Sequence, residues 1–170
     1  MKVILYMATT INGYVAKTDD NTDWVSATDW DNFRSLIKQT GIIVMGRRTY
    51  EHSGDDFPYK GAINLIMTHN KKLLKESKYV IFTNKTPKEI IQFAKKKKFK
   101  ELLVIGGGQT NGLFLKEKLL DEIILSVHPI AFGKGIKLFG DTDAEFPLKL
   151  LAIKKLKEGI VQLRYKVIKH

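Results

Sequence analysis

Two short segments carry residue types that suit phosphate binding, and each follows an apolar run of strand length. The first is Gly46-Arg47-Arg48-Thr49, and the second is Gly106-Gly107-Gly108-Gln109-Thr110. Glycine lets the backbone turn sharply and approach a ligand closely. A helix that begins at such a turn presents unpaired N–H groups and the positive end of its dipole to an anion. We therefore expect phosphate binding at both turns, with a capped helix start and a tight turn as the respective alternatives.

The triple-glycine segment departs from the two commonest phosphate-binding motifs. The dinucleotide fingerprint G-x-G-x-x-G fails because its last glycine would fall on Asn111, and the P-loop pattern fails because no Gly-Lys-Ser/Thr follows. Three glycines after a buried strand cost backbone entropy, so a close approach or a positive φ must require them. The segment is therefore a phosphate-type turn outside those two classes.

A third candidate is Asp29, near the start of a predicted helix. The apolar residues of that helix recur on one face: Trp30, Phe33, Leu36 and Ile37. Asp29 lies at the edge of this face, whereas Asp31 points to the opposite side. An acid beside an apolar pocket can donate a proton or anchor a nitrogen heterocycle. The alternative is a capping box in which Ser26 caps the helix and Asp29 favours its first turn.

The elements that must position these residues alternate between strands and helices. Six apolar runs predict buried strands, at 3–8, 42–45, 62–67, 79–82, 102–105 and 122–128. Helices are predicted at 26–39, 46–50 and 86–99 and from the three glycines to Leu120, with a turn at Asn12-Gly13. The last segments, 149–156 and 160–168, predict an antiparallel hairpin that turns at Gly159.

Strand–helix alternation closed by a hairpin predicts an α/β fold with a mostly parallel mixed sheet that helices cover. The chain shows no repeat, linker or low-complexity tract, so one domain is expected over residues 1–170. Ligands of such sheets bind beyond the carboxyl ends of the strands. We therefore expect the two glycine turns to lie side by side at one site.

The composition narrows the class of partner. The formal net charge is +11, which attracts anions such as nucleic acid, membrane surfaces or phosphorylated small molecules. The lysine clusters lack interleaved aromatic residues and no recognition motif accompanies them, so we interpret them as solvated faces and expect no nucleic-acid partner.

Location and metal content follow from other features of the composition. The chain has no cysteine and its four histidines are scattered, so no metal site is expected. Polar residues from Thr9 on interrupt the N-terminal apolar stretch, and no run approaches the ~20 apolar residues that span a bilayer. We expect a cytoplasmic protein without a membrane partner.

Taken together, three segments resemble dihydrofolate reductases. Residues 44–51 (VMGRRTYE) resemble the MGR-x-T-aromatic-E segment of that family, and 104–115 resemble its VIGGG-x₅-FL segment. Residues 64–68 (NLIMT) are similar to its third cofactor strand, which ends in a hydroxyl residue. The order and spacing of the three segments fit the family. The resemblance implies a three-layer α-β-α dihydrofolate-reductase-like fold.

Other stretches resemble a second branch of that superfamily, the reductase domain of bifunctional riboflavin-biosynthesis deaminase/reductases. Residues 9–16 (TTINGYVA) are similar to its [ST]-L-D-G-x-I-A segment, and 24–26 (WVS) are similar to its W-I-[ST]. Residues 121–135 resemble its D-E…P-x-x-x-G-x-G segment. Such relatives are commonly dimers, so the resemblance implies a homodimer.

The resemblance implies NADPH as cofactor and assigns a role to individual residues. The implied cofactor-binding residues are Ala8, Gly46, Arg47, Arg48, Thr49, Thr68, Gly106, Gly107, Gly108, Gln109 and Thr110. Arg47 would favour the 2′-phosphate, and Gly107 and Gly108 would pass under the pyrophosphate through a cis Gly–Gly peptide. Asp29 would be the catalytic acid. The implied substrate-binding residues are Asn12, Trp24 and Phe33.

Departures from both families leave the substrate open. Riboflavin-pathway reductases carry acids where this chain has Asn12 and Gly106, and dihydrofolate reductases carry a proline just before the helix acid. The leading hypothesis is an NADPH-dependent reductase that transfers hydride to a small pteridine- or pyrimidine-like heterocycle, with Asp29 or its bound water as proton source. The alternatives are 5-amino-6-(5-phosphoribosylamino)uracil reductase and a non-catalytic nucleotide-binding protein. The polar loop with Lys17, Asp19 and Asp20 either covers the site or is an exposed turn.

Overall fold

The computed structural model of the chain describes residues 1–169. The strands are β1 (Lys2–Thr10), β2 (Tyr14–Ala16), β3 (Ile42–Gly46), β4 (Ile63–Met67), β5 (Lys75–Glu76), β6 (Val80–Thr83), β7 (Glu101–Val104), β8 (Glu122–His128), β9 (Ile136–Lys137), β10 (Leu148–Lys155) and β11 (Val161–Val167). The α-helices are α1 (Ala27–Thr40), α2 (Arg47–Glu51), α3 (Pro87–Lys96) and α4 (Gly108–Lys116).

Nine of the strands form one mixed sheet in the order β10-β11-β8-β1-β7-β3-β4-β6-β5. Neighbours from β8 to β6 pair in parallel, whereas β11 pairs antiparallel with β8 and with β10, and β5 pairs antiparallel with β6. The pair β2 and β9 forms a small separate antiparallel sheet. The predicted α/β class with a C-terminal antiparallel hairpin is confirmed.

Helices cover both faces of the sheet, and an apolar core is buried between the helices and the sheet on each face. On one face, Phe33 and Ile37 of α1 pack against the sheet, and on the other Ile90 of α3 and Phe114 of α4 do so. These four side chains are buried because the apolar residues of each helix recur on the side that faces the strands. The implied three-layer α-β-α arrangement is confirmed.

The helix boundaries follow local signals at their starts more closely than at their ends. Ser26 caps α1 and Gly41 ends it with φ 68°, and Thr86 with Glu89 forms a capping box on α3. The predicted ends of the third and fourth helices, Phe99 and Leu120, are wrong. Each helix ends earlier because Lys98 (φ 65°) and Lys118 (φ 58°) adopt left-handed backbone conformations.

The last strand pair forms one edge of the sheet and is largely open to solvent. The strand β10 is exposed at almost every position, with a bulge between Leu150 and Ala152. The turn into β11 uses positive φ at Glu158 and Gly159. Within residues 1–169, no helix combines the length and the apolar character needed to cross a membrane.

Candidate active site

The two glycine turns lie against each other. The strand β7 lies between β1 and β3, so the turn after β7 is next to the turn after β3. The Gly46 N–H donates to the Gly106 carbonyl at 2.8 Å. A Cβ on Gly46 would lie 2.7 Å from Oγ1 of Thr110, and one on Gly107 would lie 3.2 Å from Oγ1 of Thr49. The expected proximity is confirmed, and glycine is what allows it.

The helices that leave these turns differ from the other two at their N-termini. A glycine stands at the N-cap of α2 and of α4, and neither N-terminus receives a side-chain cap hydrogen bond. By contrast, the serine of α1 and the threonine of α3 accept such bonds. The peptide bond between Gly106 and Gly107 is cis. Two neighbouring N-termini without side-chain caps fit the phosphate groups of a dinucleotide.

A cleft of about 260 Å³ opens beside the turns, at the carboxyl ends of β1 and β7. Its walls come from these strands, from β2, α1 and α2, and from the loops that follow them. The cleft is lined by six of the predicted site residues: Ala8, Asp29, Phe33, Arg48, Thr49 and Gly107. Residues from distant parts of the sequence thus meet at one place.

Most of the other predicted cofactor residues lie around the contact between the turns. Gly46, Gly106 and Thr110 form that contact. Gly108 packs against the strand β9, since a Cβ on it would lie 2.2 Å from the Lys137 carbonyl oxygen, and Gln109 is exposed. None of these five lines the cleft within residues 1–169.

Arg47 and Thr68 lie farther out. Arg47 is exposed and pairs with Glu51 one helical turn away, with Nη1 2.5 Å from Oε1. Thr68 is buried at the end of β4, where its hydroxyl accepts from the Asn70 N–H at 3.1 Å. Both residues lie just beyond the carboxyl ends of parallel strands, at the same edge of the sheet as the glycine turns. Their cofactor roles stay predictions.

Asn12 and Trp24 lie outside the cleft in the described chain. The Asn12 side chain donates to the Phe132 carbonyl at 2.7 Å and accepts from the Thr10 hydroxyl at 2.8 Å. Trp24 packs edge-on against His128 and Phe132, with ring centroids 5.1 and 5.6 Å apart. Both side chains hold the 129–133 loop in place, and their predicted contact with substrate stays a prediction.

Asp29 combines the two predicted alternatives. Its backbone N–H donates to the Ser26 hydroxyl at 3.2 Å, as expected at a helix start. The reciprocal half of the capping box is absent among residues 1–169, because the Ser26 N–H donates to Nε2 of His128 at 3.2 Å instead. The Asp29 carboxyl group is therefore released from capping and faces the cleft, where the residue is only 1% exposed.

Tyr6 is a hydrogen-bonding neighbour of Asp29 that the sequence did not reveal. Its hydroxyl donates to Oδ1 of Asp29 at 2.5 Å and lies 3.2 Å from Oγ of Ser126. Since the single phenolic hydrogen goes to Asp29, the Ser126 hydroxyl donates to Tyr6, and Ser126 in turn accepts from Nε2 of Gln162 at 3.2 Å. Side chains of three neighbouring strands, β11, β8 and β1, thus form a continuous series of hydrogen bonds in which each donates to the next and Tyr6 donates to Asp29.

The environment of Tyr6 keeps its hydroxyl protonated. Burial and the negative charge of Asp29 raise the pKa of Tyr6 well above its ordinary value. The phenol is therefore a permanent donor to the carboxylate. The only sequence signal was a hydroxyl group within the apolar run 3–8.

The polar loop before α1 lies over the cleft at one point. Asp20 lines the cleft, and its Oδ2 lies 2.5 Å from Nη2 of Arg48 on α2. Lys17 binds Asp23 at 2.8 Å and Asp19 is exposed, so these residues form the outer side of the loop. Of the two alternatives, the covering loop is correct for Asp20 and the exposed turn for Asp19.

A three-layer α/β fold with two adjoining glycine turns beside an acid-bearing cleft defines the dihydrofolate-reductase-like class. Within that class, the chain belongs to the family described as the RibD C-terminal domain, whose model matches residues 1–162. Membership of this family supports the riboflavin-pathway branch of the resemblance better than the dihydrofolate-reductase branch. It makes the chain a member of a reductase-like family.

Individual relatives agree with this assignment. The uncharacterized protein YwjB of Bacillus subtilis (strain 168) is 31% identical over an alignment 170 positions long. The match covers 96% of this chain and 97% of the relative. The solved structure of a putative riboflavin biosynthesis protein from Shewanella sp. PV-4 is 26% identical, with a TM-score of 0.82 over 99% of this chain and 100% of that chain.

A bifunctional relative shares the fold at low identity. The diaminohydroxyphosphoribosylaminopyrimidine deaminase/5-amino-6-(5-phosphoribosylamino)uracil reductase from Thermotoga maritima is 14% identical, with a TM-score of 0.80. The match covers 98% of this chain and 56% of that one. At this identity the likeness establishes the fold alone.

Proposed function

We propose that the protein is an NADPH-dependent reductase that acts on a small pyrimidine- or pteridine-like heterocycle. The observation that carries this proposal is the meeting of two helix N-termini without side-chain caps at one end of a cleft that holds a buried carboxyl group at the other. The first feature suits the phosphates of a dinucleotide. The second suits a nitrogen heterocycle that must receive a proton.

The residues around the turns would hold the cofactor. The backbone N–H groups that follow Gly46 and Gly107 would bind the pyrophosphate, and the Thr49 hydroxyl between the turns would add a further donor. Arg47, which is exposed beside them, would bind a 2′-phosphate in place of its Glu51 partner. When bound, the reduced nicotinamide supplies the hydride.

The residues at the inner end of the cleft would hold the substrate and manage the proton. Oδ1 of Asp29 is fixed by the Tyr6 hydroxyl, while Oδ2 accepts no hydrogen bond from residues 1–169 and is available to a substrate N–H or a water. Phe33 and Trp30 form an apolar wall beside it, with ring centroids 5.5 Å apart. This wall excludes bulk water and orients a planar ring.

The first test is cofactor binding, followed by the fluorescence of the cleft residue Trp30 and of the nicotinamide. We expect saturable binding of NADPH, and we expect Arg47→Ala to weaken NADPH while leaving NADH unchanged. No saturation by low millimolar NADPH would overturn the proposal. NADPH oxidation with 5-amino-6-(5-phosphoribosylamino)uracil and with dihydrofolate then separates the two branches, and binding without any turnover would favour a non-catalytic nucleotide-binding protein.

We also propose that the protein forms a homodimer through the outer face of the C-terminal hairpin. Leu148, Leu150 and Ile153 are 44%, 47% and 62% exposed, and register places all three on one face of β10. An apolar patch of this kind on a sheet edge favours burial against a second copy. Sedimentation should show a dimer that Ile153→Lys dissociates and that Lys154→Glu, on the opposite face, leaves intact. A native monomer at micromolar concentration would contradict this.

A further inference from the structure

The cleft and the whole chain carry charges of opposite sign. Lysine and arginine outnumber aspartate and glutamate by 29 to 18 in the sequence. The cleft, in contrast, is lined by Asp20, Asp29 and Asp56 against one arginine, Arg48, and one histidine, His52. Within residues 1–169, no lysine lines it. The protein therefore places an acidic site inside a basic molecule.

The one arginine of the lining is already paired. Nη2 of Arg48 lies 2.5 Å from Oδ2 of Asp20, and the loop that carries Asp20 is held by its own hydrogen bonds, including that of the Asp20 N–H to the Lys17 carbonyl at 3.1 Å. Asp56 likewise binds Arg34 at 3.1 Å. The cations near the cleft thus already have acidic partners within the protein, and an anionic substrate would have to displace these acids to bind them.

The innermost charge has no cation at all among the residues that the structure describes. The only side-chain donor to Asp29 is the neutral hydroxyl of Tyr6. A buried carboxylate without a cationic partner favours ligands that bring N–H donors or positive charge. A phosphate group brought into the same low-dielectric space is repelled, because charges interact more strongly there than in water.

We propose that the cleft selects a neutral or cationic heterocycle that bears N–H donors and carries no phosphate, and that Asp20 sets this selectivity by neutralising Arg48. This inference rests on the proposed reductase function and narrows its substrate. It separates the chain from the Thermotoga maritima relative, which is named for a phosphoribosyl substrate. The phosphates of the cofactor are not affected, since backbone N–H groups at the glycine turns would receive them.

A matched pair of ligands tests the proposal by binding alone. Isothermal titration of the full chain with NADP⁺ bound, so that no turnover occurs, compares 5-amino-6-ribosylaminouracil with its 5′-phosphate. We expect the unphosphorylated ligand to bind at least about tenfold more tightly. Asp20→Asn releases Arg48, so it should strengthen binding of the phosphorylated ligand about tenfold and change binding of the other less than about twofold.

Asp19→Asn is the control, because it removes the same charge at the neighbouring position. The Asp19 side chain is exposed and does not contact Arg48 in the described chain. Equal binding of the two ligands, tighter binding of the phosphorylated one, or an Asp20→Asn response no larger than that of Asp19→Asn would overturn the proposal. Failure of both ligands while NADP⁺ binds would overturn it as well. Failure of NADP⁺ itself would instead overturn the proposed reductase function.

Discussion

The two ends of the cleft are built from different parts of the chain. The end proposed for the cofactor consists mainly of backbone from two short segments, each continuous in sequence. Glycines in these segments allow the turns after β3 and β7 to touch. The end proposed for the substrate consists of side chains from segments far apart in sequence, chiefly Tyr6, Asp20 and Asp29. The Arg48 side chain joins them from the start of α2, next to the cofactor end, through its pair with Asp20. The first end depends chiefly on backbone groups and on the absence of side chains at its glycines, and the second depends on which side chains are present.

The contrast between the two ends predicts where sequence variation is tolerated. A backbone site keeps its geometry when surrounding side chains change, so a family can keep one cofactor while its substrates diverge. A side-chain site changes its charge with a single substitution, as at the Asp20–Arg48 pair. Variants at the two ends should therefore separate kinetically, with kcat affected at the substrate end and the KM for NADPH affected at the cofactor end.

The largest effect is expected from Asp29→Asn. The amide keeps an acceptor for the Tyr6 hydroxyl but can no longer take up a proton from a bound water and pass it to the substrate, so kcat should fall by about 10²- to 10³-fold. Binding of NADPH should be unchanged, because Asp29 belongs to the other end. Steady-state oxidation of NADPH measures the first quantity and fluorescence titration the second.

Asp31→Asn is the matched control for that variant, since it removes an acid two residues later on the exposed side of α1, where the side chain is 81% exposed. It should leave kcat unchanged. An Asp29→Asn variant with more than a third of the native kcat would show that the proton comes from elsewhere.

Gly107→Ala should give the next largest effect, at the cofactor end. The added methyl group would lie 3.2 Å from the Thr49 hydroxyl, between the two turns. We expect the KM for NADPH to rise about tenfold or more, with a much smaller change in kcat, because the methyl group displaces the Thr49 hydroxyl by a few tenths of an ångström at the turn proposed to position the pyrophosphate. Gly133→Ala, where a Cβ meets nothing within 4 Å, should change neither constant. Equal KM values for the two variants would contradict a cofactor site at the turns.

The cofactor end could be predicted from sequence because its signals are local. The segment Gly46-Arg47-Arg48-Thr49 and the three glycines after β7 stand directly behind apolar runs, and strand order then requires them to meet. Helix starts at Ser26 and Thr86 were equally local, and β8 has the predicted bounds, Glu122–His128.

The substrate end could not be predicted because its contacts join residues without a shared pattern. Tyr6 and Asp29 are 23 positions apart, and Asp20 and Arg48 are 28 apart. The strands β2, β5 and β9 have only two or three residues each, too few for a periodic signal, and they depend on partners brought close by the fold. The motif that contains Trp24 could be recognised in the sequence, but the packing of its side chain against His128 and Phe132 could not.

Tyr6→Phe should have a moderate effect that reports on the chain of donors. The substitution keeps the ring and removes the hydrogen bond to Asp29, so the carboxyl group loses its fixed orientation and Ser126 loses its acceptor. We expect kcat to fall about fivefold, the equivalent of roughly 1 kcal/mol in the activation barrier, with the KM for NADPH unchanged. Tyr79→Phe, at a tyrosine that is 55% exposed, is the control. A fall in thermal stability without any change in kcat would reduce Tyr6 to a structural residue.

The smallest effect is expected from Glu122→Gln, which lies in the sheet away from both ends. Lys2 and Arg164 each bind Glu122 at 2.6 Å. Burial acts to raise the pKa of Glu122, but these two hydrogen bonds outweigh it and hold the pKa below its ordinary value. Because the folded-state pKa is the lower one, the stabilisation is present above the unfolded-state value of about 4.3 and is lost as pH falls through the folded-state pKa.

The free energy of unfolding at neutral pH should therefore fall by about 1 kcal/mol in Glu122→Gln, and the difference from the native protein should shrink below about pH 4. Urea unfolding at several pH values measures this, with the exposed Glu145→Gln as control. Since Glu122 contributes to neither end of the cleft, kcat and the KM for NADPH should both stay at native values. A change in either constant would mean that the sheet transmits strain to the cleft. In that case kcat and the KM for NADPH would no longer show which end of the cleft a variant affects.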